Sequence, residues 1–188
     1  MKKNLFLVSF LLIGCKKNPN RVEEMSVNNG ANIVKEYYKD DFKIKIEVYD
    51  KNTNKILAIT DFDKDTITKM VEFHTNQNKK LVATLLQKPN FFEIKNYFEN
   101  GRKENEGFVV YNYKSKKIIP VSDWIFYNRK TGEADSIGHH FSDGNISVLA
   151  EVEKPDKKKG GIQKIKYFEV KPKDTLKGFV NWEVKRIR

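Results

Sequence analysis

The sequence predicts an all-β protein built from antiparallel hairpins. Three observations carry that prediction. From Phe42 onward the dominant pattern is period-two alternation enriched in Val, Ile, Phe, Tyr and Thr, as half-buried strands require. Turn-forming dipeptides and related longer turns recur between the alternating runs. No window after residue 39 carries an apolar stripe at helical spacing.

The chain opens with a different pattern. Met1-Lys2-Lys3-Asn4 is a short positive segment, and Leu5 to Ile13 is apolar except for Ser9. At about 1.5 Å per residue this run does not cross a hydrocarbon core of about 30 Å, so it reads as a signal-peptide core rather than a spanning helix. It ends in Leu12-Ile13-Gly14-Cys15, which resembles the lipobox of bacterial lipoproteins. The resemblance implies a diacylglyceryl group on the Cys15 sulfur, cleavage after Gly14 and a further acyl chain on the new amino terminus. Two or more acyl chains anchor a protein stably where one does not. Lys16 and Lys17 follow, suited to anionic headgroups. No acidic residue stands directly after Cys15, so the Asp-type inner-membrane retention signal of some lipoproteins is missing. The expected location is the bacterial cell envelope, lipid-anchored on the outer membrane and facing the periplasm.

Residues 1–14 are thus expected as a signal peptide, 15–32 as the lipidated cysteine and a polar tether, and 33–188 as one β-rich, repeat-like domain. Removing the first 14 of the 188 residues leaves 174, enough for one core. Cys15 is the only cysteine, so once acylated it leaves no thiol for a disulfide, a thiolate metal site or a nucleophile. Within 33–188, Ile33 to Tyr38 reads as a short helix or a first strand.

The net charge of +11 falls to +9 without Lys2 and Lys3. Export argues against nucleic acid as the partner and leaves an envelope protein or an anionic polymer. In Phe42-Lys43-Ile44-Lys45-Ile46-Glu47-Val48 the charges alternate with apolar residues, as on the solvent face of a strand. Lys157-Lys158-Lys159 precedes Gly160-Gly161 and reads as a solvated hairpin tip.

Further along, Phe92, Ile94 and Phe98 share a face, with Asn96 the polar exception, and Ile162 to Phe168 marks a late strand. Asn100-Gly101 and Asp143-Gly144 suit type I′ turns, in which both residues have positive φ. Longer turns share a pattern: Tyr49 to Lys55 matches Phe73 to Lys79, and Tyr127 to Glu133 matches both. Each has an aromatic, then three residues, Thr or Gln, and Asn or Gly. The stretch from Tyr49 to Phe73 has room for two strands and two turns, so these read as a degenerate internal repeat.

Tyr97-Phe98-Glu99-Asn100-Gly101-Arg102-Lys103, followed by Glu106-Gly107, resembles the bacterial variant of the MORN repeat, as does Trp124-Ile125-Phe126-Tyr127. His140-Phe141-Ser142-Asp143-Gly144 is a weaker copy. The resemblance covers about residues 96 to 150 and departs from the pattern in its irregular spacing. It implies consecutive antiparallel hairpins in a meander-type sheet, extended or curled. Bacterial members are often described as antitoxin-like, or as lipoproteins of unknown role.

Candidate chemistry is sparse. Asp61, Asp63, Asp65 and Glu72 partly match a calcium loop, which places carboxylates at positions 1, 3, 5 and 12. Thr66 stands where that loop needs Gly, two lysines intervene and the flanks read as strands, so a solvated turn is the expectation. His139 and His140, being adjacent, point to opposite strand faces and do not share a metal. His139 beside Phe141 and Asp143 is a conceivable acid–base pair without a nucleophile or a third ligand. His74 beside its turn reads as exposed, and Glu104 with Glu106 as a solvated pair. No serine-hydrolase elbow, zinc-protease, phosphate-loop or dinucleotide motif occurs, and no cofactor is expected. Tyr97, Trp124 and Tyr127 are the candidate binding surface, since aromatics left uncovered on a sheet form a platform. The expected function is a non-catalytic binding or structural β-repeat module. Alternatives are an antitoxin- or immunity-like lipoprotein binding a toxin, and a small envelope hydrolase.

Overall fold

The computed structural model describes residues 20–142, 146–176 and 179–186; Cys15, the Asp143-Gly144 turn and the side chain of Trp182 lie outside what it describes. The described residues form no helix. Twelve consecutive strands make one antiparallel meander that does not close on itself. They are β1 (Asn20–Val27), β2 (Asn32–Lys39), β3 (Phe42–Asp50), β4 (Ile56–Asp63), β5 (Thr66–Phe73), β6 (Lys79–Gln87), β7 (Phe91–Tyr97), β8 (Lys103–Asn112), β9 (Lys117–Tyr127), β10 (Ala134–Ser142), β11 (Ser147–Pro155) and β12 (Ile162–Lys166). A separate hairpin of β13 (Phe168–Leu176) and β14 (Phe179–Arg186) follows, with β13 against β11.

Two expectations change at the amino-terminal end. The segment read as tether contains β1, which pairs with β2 from Asn20↔Lys39 to Val27↔Asn32. Its sequence, NRVEEMSV, lacks apolar alternation because an edge strand with seven of eight residues exposed has no core face to pattern. In β3, Phe42 and Ile44 are exposed at 45% and 41%, whereas Lys43 is ion-paired to Glu36 at 2.7 Å and more covered than either. The core does not extend this far.

It lies instead under β6 to β9. Ala83, Phe92, Ile94, Val109 and Trp124 form the buried cluster, with Met70, Leu81, Leu85 and Phe126 packed around it. Register places these residues together: Met70 opposes Ala83, Ala83 opposes Ile94, and Ile94 opposes Gly107. Gly107 leaves room for the Trp124 ring, which a β-carbon there would meet at 2.5 Å. Asn96, the polar exception, opposes Asn105 and donates to its Oδ1 at 2.6 Å, which pairs the two amides across the strands.

The turns form two ladders. On one edge, the chain reverses at 50–55, 74–78 and 98–102, evenly spaced along the sequence, and then at 128–133. Successive turns bond to one another. Lys55 donates to Thr75 O (2.9 Å), Gln77 to Ile56 O (3.2 Å), and Asn76 and Asn78 to Glu99 O (2.8 and 2.7 Å). Arg102 continues the series to Lys130 O. His74, expected to be exposed, bonds through Nε2 to Tyr97 O at 2.8 Å. Asn100-Gly101 is not a type I′ turn: Gly101 alone is left-handed, at φ +81°, and Asn100 accepts the Arg102 amide on Oδ1 at 3.1 Å. Gly101 N–H donates to Phe98 O and Phe98 N–H to Arg102 O, closing a three-residue loop on a type I turn. The two-residue pattern with both φ positive occurs on the other edge, at Asp40-Asp41 and Lys64-Asp65.

Candidate functional site

Opposite the core, the sheet has a second face. One row of directly opposed residues crosses all twelve strands on it: Glu24, Lys35, Glu47, Ile59, Val71, Val82, Lys95, Glu106, Ile125, Ile137, Glu153 and Lys164. Charged residues flank two apolar stretches. Tyrosines gather beside the charges. Tyr37 and Tyr49 both donate to Glu47 Oε2, at 2.6 and 2.7 Å, and Lys45 donates to Oε1 at 3.2 Å. Burial works to raise the Glu47 carboxyl, but these three hydrogen bonds outweigh it and hold it below its ordinary value. The same bond to Glu47 pushes the Tyr37 phenol up to about 12. A related group stands over β8 and β9, where Tyr127 donates to Glu106 and Lys103 reaches both carboxylate oxygens at 3.0 Å.

The densest polar group lies on β9 to β12. His139 opposes Asp123 on one side and Glu151 on the other, and Glu153 follows on the same face of β11. Asp123 Oδ1 is 2.7 Å from His139 Nδ1. His139 Nε2 is buried without a hydrogen-bond partner and lies 3.6 Å from Glu153 Oε1. From β12, Lys164 bonds Glu153, and Lys166 lies 3.5 Å from Glu151. The Lys164 bond holds the Glu153 carboxyl below its ordinary value. His140 is on the core face instead, 5.7 Å from the Trp124 ring, and burial holds it below the usual histidine range. Beside Glu153, an open hollow of about 200 Å³ is lined by Ile137, Pro155 and Ile162. A second hollow of about 610 Å³, under the β11–β12 turn, is lined by Lys154, Lys157, Lys158 and Lys159.

No family model matches the chain, and no curated protein matches it. The site is therefore read from its own geometry.

Tyr97 and Tyr127 fall on the second face by strand alternation, but Trp124 does not. Trp124 is 8% exposed on the core face, and its indole N–H donates to Phe108 O at 3.2 Å. It is a core residue and leaves the predicted surface.

The four calcium candidates are not brought together. Asp61 opposes Lys69. Asp63 is ion-paired to Lys88 at 2.8 Å, and Asp65 accepts the Lys43 amide at 3.3 Å. Glu72 pairs with Lys80 at 3.1 Å near the far end of β5, about 20 Å from the turn at 3.3 Å per residue. The aspartates fasten neighbouring turns instead of surrounding an ion.

The partners of His139 were hidden from sequence reading. Glu151 and Glu153 reach it only through the β10–β11 register, which shifts at a bulge between His139 and His140. The alternation Glu151-Val152-Glu153 beside the alternation Lys164-Ile165-Lys166 was the available signal.

Proposed function

We propose that this chain is a membrane-anchored periplasmic lipoprotein whose β-repeat sheet is a non-catalytic binding module for an envelope protein or an anionic envelope polymer. The observation that carries the reading is the second face, a twelve-strand surface of opposed charges, tyrosines and apolar stretches. Such a face supplies cation–π and hydrogen-bonding groups already held in place, for example Lys103 at 5.0 Å over the Tyr127 ring. Groups fixed before binding lose little freedom when a partner arrives. The MORN-variant resemblance accords with a hairpin array, and the lipobox with the anchor. From Cys15 to Asn20 a chain reaches about 17 Å when fully extended, which keeps the edge bearing Lys39 and exposed Phe42 close to the bilayer.

Two measurements test this reading in cells making the full chain. Cys15→Ser should leave unprocessed precursor or protein released from the membrane. If that variant fractionates and is cleaved like the parent, the anchor is wrong. A photo-cross-linking side chain at Lys69 or Thr84, exposed on the second face, should capture a discrete envelope component. The same group at Lys114, on a turn, should not. Equal capture from all three positions, or none from the sheet, would remove the binding-face assignment.

A further inference from the structure

We infer that His139, Glu151 and Glu153 form a site for a divalent transition-metal ion of the zinc class, with Asp123 orienting the histidine. One ligand atom from each of the three lies within 4.8 Å of the others. They come from adjacent strands of a rigid sheet, so their separation is set by register rather than by a loop.

The histidine carries the argument. Its Nδ1 is engaged by Asp123 at 2.7 Å, so in the neutral ring Nδ1–H donates and the Nε2 lone pair is left over. That lone pair is buried, has no hydrogen-bond partner and faces the Glu153 carboxylate at 3.6 Å. Two acceptors facing each other across this distance repel unless a cation stands between them. Two bonds of about 2.1 Å at a tetrahedral angle put ligand atoms about 3.4 Å apart, close to the spacing seen. A carboxylate on the far nitrogen is also the usual support of a metal-bound imidazole, fixing its tautomer and direction. One nitrogen and two carboxylates suit zinc or cobalt, whereas calcium needs six or more oxygens. The three ligands lie on an open sheet face, so a fourth position is left for water or for a ligand group of a partner.

Lys164 and Lys166 hold the two carboxylates while no metal is bound. Both lysines are more than half exposed, and their long stems can swing into water. They compete with the ion and weaken its binding without blocking it.

The rival explanation is an imidazolium bridging Asp123 and Glu153, and a titration separates the two. The full chain in detergent, carrying Cys15→Ser so that no thiol contributes, is stripped with a chelator and titrated with Co²⁺ and then Zn²⁺. The metal site predicts visible cobalt bands of low-coordinate type that saturate at one ion and are displaced by zinc. His139→Gln and Glu153→Gln should abolish the bands. Asp123→Asn should weaken zinc binding by about 10–100-fold, the usual cost of a lost supporting carboxylate. Lys164→Met should tighten it, a gain that misfolding does not produce. Absence of saturable cobalt bands in the parent overturns the inference. So does binding in His139→Gln equal to the parent, or weaker binding in Lys164→Met.

Discussion

Replacing Gly107 by Ala tests the packing that defines the core. A β-carbon at this position would lie 2.5 Å from Cδ2 and Cγ of Trp124 and 2.6 Å from Cδ1. These are atoms of a rigid ring, 8% exposed and held by an N–H bond to Phe108 O. The ring cannot bend away at its tip, so it must shift by about 1 Å, against well-packed neighbours, or leave its rotamer. Overpacking of this kind costs about 1–3 kcal/mol. The three short contacts place the change at the upper part of that range. In a chain of this size 1 kcal/mol lowers the melting temperature by about 2–4 °C, so a loss of about 5–10 °C is expected. The assay is thermal and urea unfolding of the parent, Gly107→Ala, Trp124→Leu and the double variant. Leu lacks the ring atoms that clash, so the double variant should lose less than the two single changes added together. A Gly107→Ala protein that melts like the parent would refute the packing. Strict additivity in the double variant would show that Trp124 is not the obstacle.

Other outcomes follow from the turns and the face. Gly101→Val should cost about 1 kcal/mol or slightly more from backbone strain alone, because nothing stands within 4 Å of a β-carbon there and φ is +81°. Gly132→Val, at φ +78°, should behave alike, and Lys158→Val should be milder, as urea midpoints will show. Ca²⁺ should leave the melting temperature nearly unchanged, and Asp63→Asn should move the urea midpoint little, because its ion pair with Lys88 is exposed. Tyr37 gives a pH signature. Its proton is held more tightly in the folded chain, so its stabilising contribution is complete below pH 10 and is lost as pH rises from 10 toward about 12. Tyr37→Phe should flatten that part of the pH–stability curve, and an unchanged curve would show that the Glu47 bond does not form in solution.

The strands from β3 to β11 were legible because alternation is local: each run carries its own period and its own turn residues. What sequence reading missed depends on neighbours in space. β1 is polar on both sides and has no period to read. Trp124 and Tyr127 are close in sequence yet sit on opposite faces, one beneath Gly107 and one bonded to Glu106. Alternation separates the two, but which face is covered follows from the register of β8 against β9, which shifts at a bulge between Glu106 and Phe108. Asp63 and Asp65 read as part of a solvated turn, but their partners, Lys88 and Lys43, are distant in sequence and meet them only across the folded sheet.

The turn ladder explains why the repeat exists and why the site lies where it ends. A sheet one layer deep, with a buried cluster as small as Ala83, Phe92, Ile94, Val109 and Trp124, gains little from burial, so its edges must be tied. A constant period places each turn beside the equivalent turn of the next hairpin, where Asn, Gln and Lys side chains find backbone carbonyls. That period holds for the turns opened by Asp50, His74 and Phe98 and then lengthens before the turn opened by Asn128. The extra length appears in β8 and β9, the two longest strands of the sheet, and the register shifts, which sit near the turns in the earlier pairs, fall mid-strand in β8–β9 and β10–β11. Bulges re-aim side chains at the cost of regular pairing. Asp123, His139, Glu151 and Glu153 lie on the unshifted register just before the β10–β11 bulge and share one face by alternation, in the hairpins beyond the constant period. A sequence that keeps a stabilising period through three hairpins and abandons it over the next strands has given up local consistency, and departures of this kind concentrate at functional sites.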